Sequence, residues 1–314
     1  MRICPWEEAH LRILSFGEVL WDVFGEQEYL GGAPLNFAIA ARKLGNSVAL
    51  LSSVGDDLRG SLTLDAIRNH ELSTDFVQLS PKAPTGTAIV TADGNGNPSF
   101  AIARPAAFDQ IEFNDDLLTS VIKWNPQWIY FGTLAQAFEE SEEHLKKLVH
   151  AVPFARRFYD VNLRTGHWNF PLVQRLSLIA SIIKMNETEA MHLCHLAGGP
   201  LPFAIETFCE FWSSRYGAEM ICVTLGGEGC AVSRAGRIEY FKGFNVRIAD
   251  TVGAGDAFAA GFLHGLNCGW SIERTATFAN ALGAIVASRA GATPAWTIDD
   301  CMNLIAADGT CKGS

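Results

Sequence analysis

The sequence predicts an α/β protein: a doubly wound, mostly parallel sheet with helices on both faces and a small β-sheet lid. Three observations predict it. Short apolar runs rich in β-branched and aromatic residues alternate with longer segments of helical spacing, the pattern of a parallel sheet covered on both sides. One region breaks the alternation and reads as a β-hairpin. The glycines and acids collect in the turns after the apolar runs, where open parallel sheets bind their ligands.

The strands come first. "RILSFGEVL" from residue 12, "SVALLSSVG" from 47, "WIYFGTL" from 128, "RRFYDVN" from 156, "IASIIKMN" from 179 and "MICVTLG" from 220 each read as a buried strand. Helical spacing of apolar residues recurs at 35–44, 58–70, 138–149, 170–177, 187–196 and 203–215. The segment "TGTAIVTADGNGNPSFAIA" from 85 reads as two strands joined by an Asp-Gly and Asn-Gly turn, and 23–31 as a further short strand pair. A lid built from about 23–34 and 85–106 follows, on one domain spanning 1–314.

A chain of 314 residues, 48% hydrophobic and 18% charged, buries an ordinary globular core. Its net charge of -10 argues against a nucleic-acid partner, because phosphate backbones are met by Lys and Arg. No apolar run approaches the roughly 20 residues of a membrane span. The N-terminal "MRICPWEEAHLRIL" carries two glutamates and does not read as a secretory signal. The eight cysteines are scattered without a Cys-x-x-Cys pair, which suits a reducing cytoplasm. "MHLCH" places His192 and His195 around Cys194, with no convergent third ligand for a metal.

The motif richest in chemistry is "DTVGAGDAF", residues 250–258. Gly253 and Gly255 let the backbone approach a ligand, and the apolar run that follows is a good helix. Its N-terminus presents unpaired N–H groups and the positive end of the helix dipole, an anion site. Asp256 in the first helical turn reads either as a helix-stabilising acid or as a base taking a proton from an attacking hydroxyl. Phosphoryl transfer needs positioning, charge stabilisation and one such base.

At this point the resemblance is plain. "DTVGAGDAFAAGF" resembles the second signature of the PfkB (ribokinase-like) carbohydrate kinases, and "GGAPLNFAIAARKLGNSVALLSSVGDDLRG" from 31 resembles their first. The agreement runs from about residue 12 to about 298. The resemblance implies a doubly wound domain with a β lid, Asp256 as catalytic base, and an anion hole at Gly253, Ala254 and Gly255. It implies Asp22 and Asn36, with Gly31 and Gly32, on the sugar hydroxyls. "NETE" matches an Asn-x-x-Glu element in which Asn186 serves the nucleotide and Glu189 organises Mg²⁺ through water, as Mg²⁺ favours. By itself that element reads as a helix cap. Thr224, Gly226, Gly227 and Gly229 fall on the nucleotide loop, and Asn280 on the adenine border. The resemblance further implies a K⁺ site at Asp250 and backbone carbonyls of the later "SRAGA" loop.

The proline in "GGAPLN", the "DVNLR" element and Trp168 resemble the fructokinase branch. A guanidinium at Arg164 is expected to clamp a phosphate or a substrate carboxylate bidentately. The lid sequence offers one cation, Arg104, so a neutral sugar is expected over a sugar phosphate. D-fructose, phosphorylated by ATP at a primary hydroxyl, leads; 2-keto-3-deoxygluconate or another sugar or nucleoside of this family is the alternative. A non-catalytic sugar- or nucleotide-binding relative is the different-class alternative. Lids of the resembled family often pair, so a homodimer through the lid is among the expectations. Phe108, standing where the family writes a small residue before Asp109, is expected to alter the lid side of the sugar pocket, and His167 lies in the loop beside Arg164.

Overall fold

A computed structural model describes residues 11–92 and 98–309. In chain order these form β1 (Arg12–Phe16), β2 (Leu20–Phe24), β3 (Gln27–Gly31), α1 (Ala33–Lys43), β4 (Ser47–Gly55), α2 (Leu58–Asn69) and β5 (Val77–Ser80). Next come β6 (Gly86–Ala92), β7 (Pro98–Ile102), α3 (Asp115–Trp124), β8 (Trp128–Gly132), α4 (Glu139–Ala151), β9 (Arg156–Asp160), α5 (Phe170–Ile179) and β10 (Ile182–Asn186). The chain continues through α6 (Glu187–Leu196), α7 (Ile205–Tyr216), β11 (Met220–Thr224), β12 (Gly229–Arg234), β13 (Arg237–Lys242), α8 (Ala254–Asn267), α9 (Ile272–Ala287) and α10 (Ile298–Ala307).

The main sheet has nine strands in the order β13-β12-β11-β10-β9-β8-β1-β4-β5. From β11 to β5 every neighbouring pair is parallel, while β12 and β13 add an antiparallel edge hairpin. Both faces are covered. Alternate strand residues feed two separate cores: Ile13, Tyr130 and Ile182 pack beneath α1, α8 and α9, whereas Leu14, Ile129 and Ile183 pack with α5 and α7. That alternation is why each strand reads as a continuous apolar run rather than a two-residue rhythm. No helix among the described residues is long and apolar enough to cross a membrane.

The second sheet has the order β3-β2-β6-β7. Its strands are those expected of the lid, with two corrections. "RILSFGEVL" is not one strand: β1 ends at Phe16 and β2 starts at Leu20 in the other sheet. The break is at Gly17, whose φ is +152° and where a Cβ would lie 2.6 Å from Pro34. The lid segment also ends at Gly31, because Ala33 and Pro34 begin α1 and proline is at home in a first helical turn. The Asp-Gly and Asn-Gly turn expected between β6 and β7 lies outside the described residues. Ile179 and Ala180 close α5 instead of opening a strand.

The first signature holds the two sheets together. Gly32 has φ +111°, and a Cβ there would lie 2.5 Å from the Glu18 carbonyl oxygen. Asp57 caps α2 and also accepts hydrogen bonds from the Thr85 N–H and hydroxyl at the entrance to β6. A Cβ at Gly60 would fall 2.0 Å from the Gly55 carbonyl oxygen, so only glycine lets this turn close against the lid.

Candidate active site

Parallel strands bring their carboxyl ends to one edge of the sheet, and the expected site residues collect there. Gly253 sits at φ +78° and starts α8 with no side-chain cap; Ala254 N–H donates to the Thr251 carbonyl at 3.3 Å, and the next N–H groups, of Gly255 and Asp256, remain for a ligand. A Cβ at Gly253 would lie 2.0 Å from the Ala292 carbonyl oxygen, so the turn is packed tightly on the 288–292 loop. Asp250 ties the same two segments: its carboxylate accepts from Val252 N–H at 3.0 Å and from Gly291 N–H at 3.1 Å.

Asp256 is 8% exposed. The Asn36 amide donates to its Oδ2 at 2.8 Å, so two segments distant in sequence meet in one hydrogen bond. Burial pushes the Asp256 carboxyl up to about 6, and the Asp160 carboxylate adds to the rise; Lys184, the Asn36 hydrogen bond and Arg164 pull the other way. A carboxylate in such a seat is ionised at neutral pH yet basic enough to accept a proton.

Asp22, on β2 opposite Tyr29, is half-buried. Its carboxyl rises to about 6 through burial, offset by Arg164 and reinforced by Asp250. A Cβ at Gly31 would lie 2.9 Å from Asp22 Oδ2, so this glycine keeps the space beside the carboxylate open. Arg164 is exposed on the loop after β9, and its charge acts on Glu18, Asp22 and Asp256 alike.

On the far side of Gly255 lies a cavity of about 730 Å³ lined by Thr224, Gly226, Gly227, Gly229, Ala254, Gly255 and Asn280. The Asn280 amide donates to the Phe241 and Lys242 carbonyls, so it pins the end of β13 to the cavity wall. A neighbouring cavity of about 600 Å³ shares Thr224 and Gly226 and is lined by Asn186, Glu189 and Trp168. Asn186 and Glu189 form a reciprocal capping box on α6, and Glu189 Oε1 also accepts from Leu163 N–H at 2.7 Å. Both Glu189 oxygens are thus engaged with backbone, and no group of three or more His, Cys, Asp or Glu among the described residues is placed to hold a metal directly. That arrangement fits a divalent cation met through water.

Three expectations need correction or refinement. Phe108 is buried at 1% exposure in a small core with Leu20, Ala88 and Leu134, so it shapes the lid from inside. Arg104 is spent on a buried ion pair with Asp109 and on the Leu134 carbonyl, leaving the lid no free cation there. His167 stands near that pair, its imidazole held below the usual value by burial and by Arg104.

Residues without a motif also converge. Glu18, between β1 and β2, is 4% exposed with Oε2 unpartnered, and burial lifts its carboxyl to about 7. Lys184 and Asp160 are register partners on β10 and β9 and form a buried ion pair at 2.8 Å. The signal for all three was a charge inside an apolar strand pattern, "SFGEVL", "SIIKMN" and "RRFYDVN".

A model of pfkB family carbohydrate kinases matches residues 6–299. The chain is 28% identical over 313 residues to the probable fructokinase-2 of Arabidopsis thaliana, covering 91% of this chain and 93% of the relative. Its fold superposes on that of fructokinase with bound ATP from Xylella fastidiosa with a TM-score of 0.82 at 23% identity, covering 95% and 99% of the two chains. The fructokinase of Vibrio cholerae O395 in its fructose, ADP and calcium ion bound form gives 0.79 at 23% identity, covering 95% and 100%.

Proposed function

Because the chain belongs to the pfkB family of carbohydrate kinases and is a phosphotransferase acting on a sugar hydroxyl, we propose that it transfers the γ-phosphoryl group of ATP to a primary hydroxyl of a neutral ketose, D-fructose, giving fructose 6-phosphate. One observation carries this reading: the Asn36–Asp256 hydrogen bond joins the sugar-side turn to the phosphate-side turn. The sugar side is rich in acid, and the charge of the exposed Arg164 acts on Glu18, Asp22 and Asp256 alike. Carboxylates suit hydroxyl donors and repel an anionic substrate.

Asp22 and Asn36 orient the sugar under the β lid. Asp256 takes the hydroxyl proton as the oxygen attacks the γ-phosphorus in line. The new O–P bond forms as the bond to the β-phosphate oxygen breaks, and ADP leaves with that electron pair. Backbone N–H groups at Gly253–Gly255 hold the charge on the transferring group. The cavity at Thr224–Gly229 and Asn280 takes the nucleotide. Mg²⁺, organised through water by Asn186 and Glu189, would neutralise phosphate charge when bound.

ADP release with Mg²⁺-ATP across fructose, ribose, glucose, 2-keto-3-deoxygluconate and adenosine tests the proposal, with Asp256→Asn alongside. Turnover with fructose, lost in the variant, supports it; turnover with the acid sugar would assign Arg164 to a substrate carboxylate instead. Absence of turnover with every acceptor overturns the kinase reading for these substrates.

A further inference from the structure

The side chains beneath the anion hole carry an inference that rests on the phosphoryl-transfer reading and deepens it. Gly255 lies close over the lysine: a Cβ there would lie 3.3 Å from Lys184 Nζ. The Lys184 side chain is 8% exposed and its ammonium is held by Asp160, whose two oxygens accept from it at 2.9 and 2.8 Å. Tyr130 donates its hydroxyl to the same carboxylate at 3.0 Å. The parallel register sets this up, pairing Gly132 with Asp160 and Asp160 with Lys184 across three adjacent strands. An isolated charge is expensive to bury, so a buried pair placed against the catalytic turn calls for a use beyond stability.

We propose that Lys184, held by Asp160 and Tyr130, is a positioning residue: it supplies the fixed cation under the Gly253–Gly255 turn that steadies the transferring phosphoryl charge and keeps Asp256 able to take the acceptor proton. The ammonium has three N–H donors and Asp160 engages it through two oxygens, leaving its charge partly directed at the turn. The charged or titratable groups acting on Lys184 are Asp160 on β9, Asp256 on α8 and Glu189 on α6. Tyr130 on β8 reaches the pair through Asp160, and the Cys222 thiol on β11 feels the lysine charge. Acting on Asp256 are Asp160, Lys184 and Arg164, with the Asn36 amide, and its charge is also felt by Glu18 between β1 and β2 and by Tyr130 on β8. The pair therefore acts on Asp256 with opposite signs from its two ends.

That opposition gives a test a structural role would not pass. The Asp256 carboxyl carbon is titrated by NMR in the wild type, Lys184→Met and Asp160→Asn, without any sugar. Losing the cation moves the midpoint up from about 6, and losing the anion moves it down. Affinity for ADP with aluminium fluoride, a mimic of the transferring group, falls roughly tenfold or more in Lys184→Met and holds or tightens in Asp160→Asn. Simple loosening of the site would admit water, lower the midpoint in both variants and weaken the mimic in both. Asp160→Asn keeps its hydrogen-bonding shape and reads the proposal should Lys184→Met not fold. Midpoints that move together, or unchanged affinity in both variants, overturn it. Opposite shifts in a protein that phosphorylates no sugar would retain the electrostatic role and remove the sugar assignment.

Discussion

The Nδ2 of Asn36 donates to Oδ2 of Asp256 at 2.8 Å, across 220 residues of sequence. Each partner sits in the first turn of a helix that starts at a glycine with positive φ, Gly32 for α1 and Gly253 for α8. α1 and α8 pack side by side on one face of the sheet, and the hydrogen bond joins their N-termini at the carboxyl edge of the strands.

Asp256→Asn removes the base while preserving the Asn36 contact through its amide oxygen. We expect kcat/KM to fall by roughly 10²–10⁴ with the melting temperature within a few degrees of wild type. A parallel steady-state assay and thermal melt check this, and a variant that melts early would not count.

Acid pH should switch the enzyme off through the same residue. Asp256 has its carboxyl raised to about 6, and it accepts a proton only when ionised, so kcat/KM declines as pH drops through that value. Asn36→Ala removes a hydrogen bond that stabilises the ionised form. A net bond of about 1 kcal/mol corresponds to roughly 0.7 of a pH unit, so the acid limb moves upward by about that much. A pH–rate profile for each protein reads the shift directly.

Glu18 makes a stability prediction with a defined sign. Its carboxyl rises from 4.5 to about 7 on folding, so the folded protein binds the proton more tightly than the unfolded chain does. Stability from this group is fully present below about 4.5 and is lost as pH climbs through 7. At pH 8 the buried charge costs about 3 kcal/mol, and Glu18→Gln recovers part of it. Melting temperatures of the variant should exceed wild type by several degrees at pH 8, with the gap closing near pH 4.5.

Gly253→Ala should cost both fold and activity. The residue has φ +78°, and its new methyl would lie 2.0 Å from the Ala292 carbonyl oxygen. A left-handed conformation alone costs an L-residue about 1–2 kcal/mol, and the clash displaces the anion hole. A lowered melting temperature together with a drop in kcat larger than any change in KM for the sugar is the expected result.

K⁺ dependence is the remaining proposal about ions. Asp250 bridges the Val252 and Gly291 N–H groups, joining the catalytic turn to the loop whose carbonyls would complete a cation site. Replacing K⁺ with tetramethylammonium at constant ionic strength should lower kcat severalfold. Equal rates in both salts would remove the cation from the mechanism.

By itself the sequence determined what repeats locally: the strand runs, most helix cores and the glycine turns, and it singled out Asp256 as the candidate base. These follow from periodicity and from backbone positions that only glycine fills, as at Gly32 and Gly253. Tertiary structure decided the rest. "RILSFGEVL" looks continuous because both halves are apolar, yet the chain changes sheets at Gly17, and only the packing of Pro34 there reveals it. Phe108 reads as a pocket residue from its place beside Asp109, but the small core under the lid claims its ring. Lys184 and Asp160 show only as charges inside strands until parallel register sets them side by side beneath Gly255. Local pattern records what one segment requires of its own backbone; the pairing of charges across strands depends on register and topology, which arise only when the sheet closes.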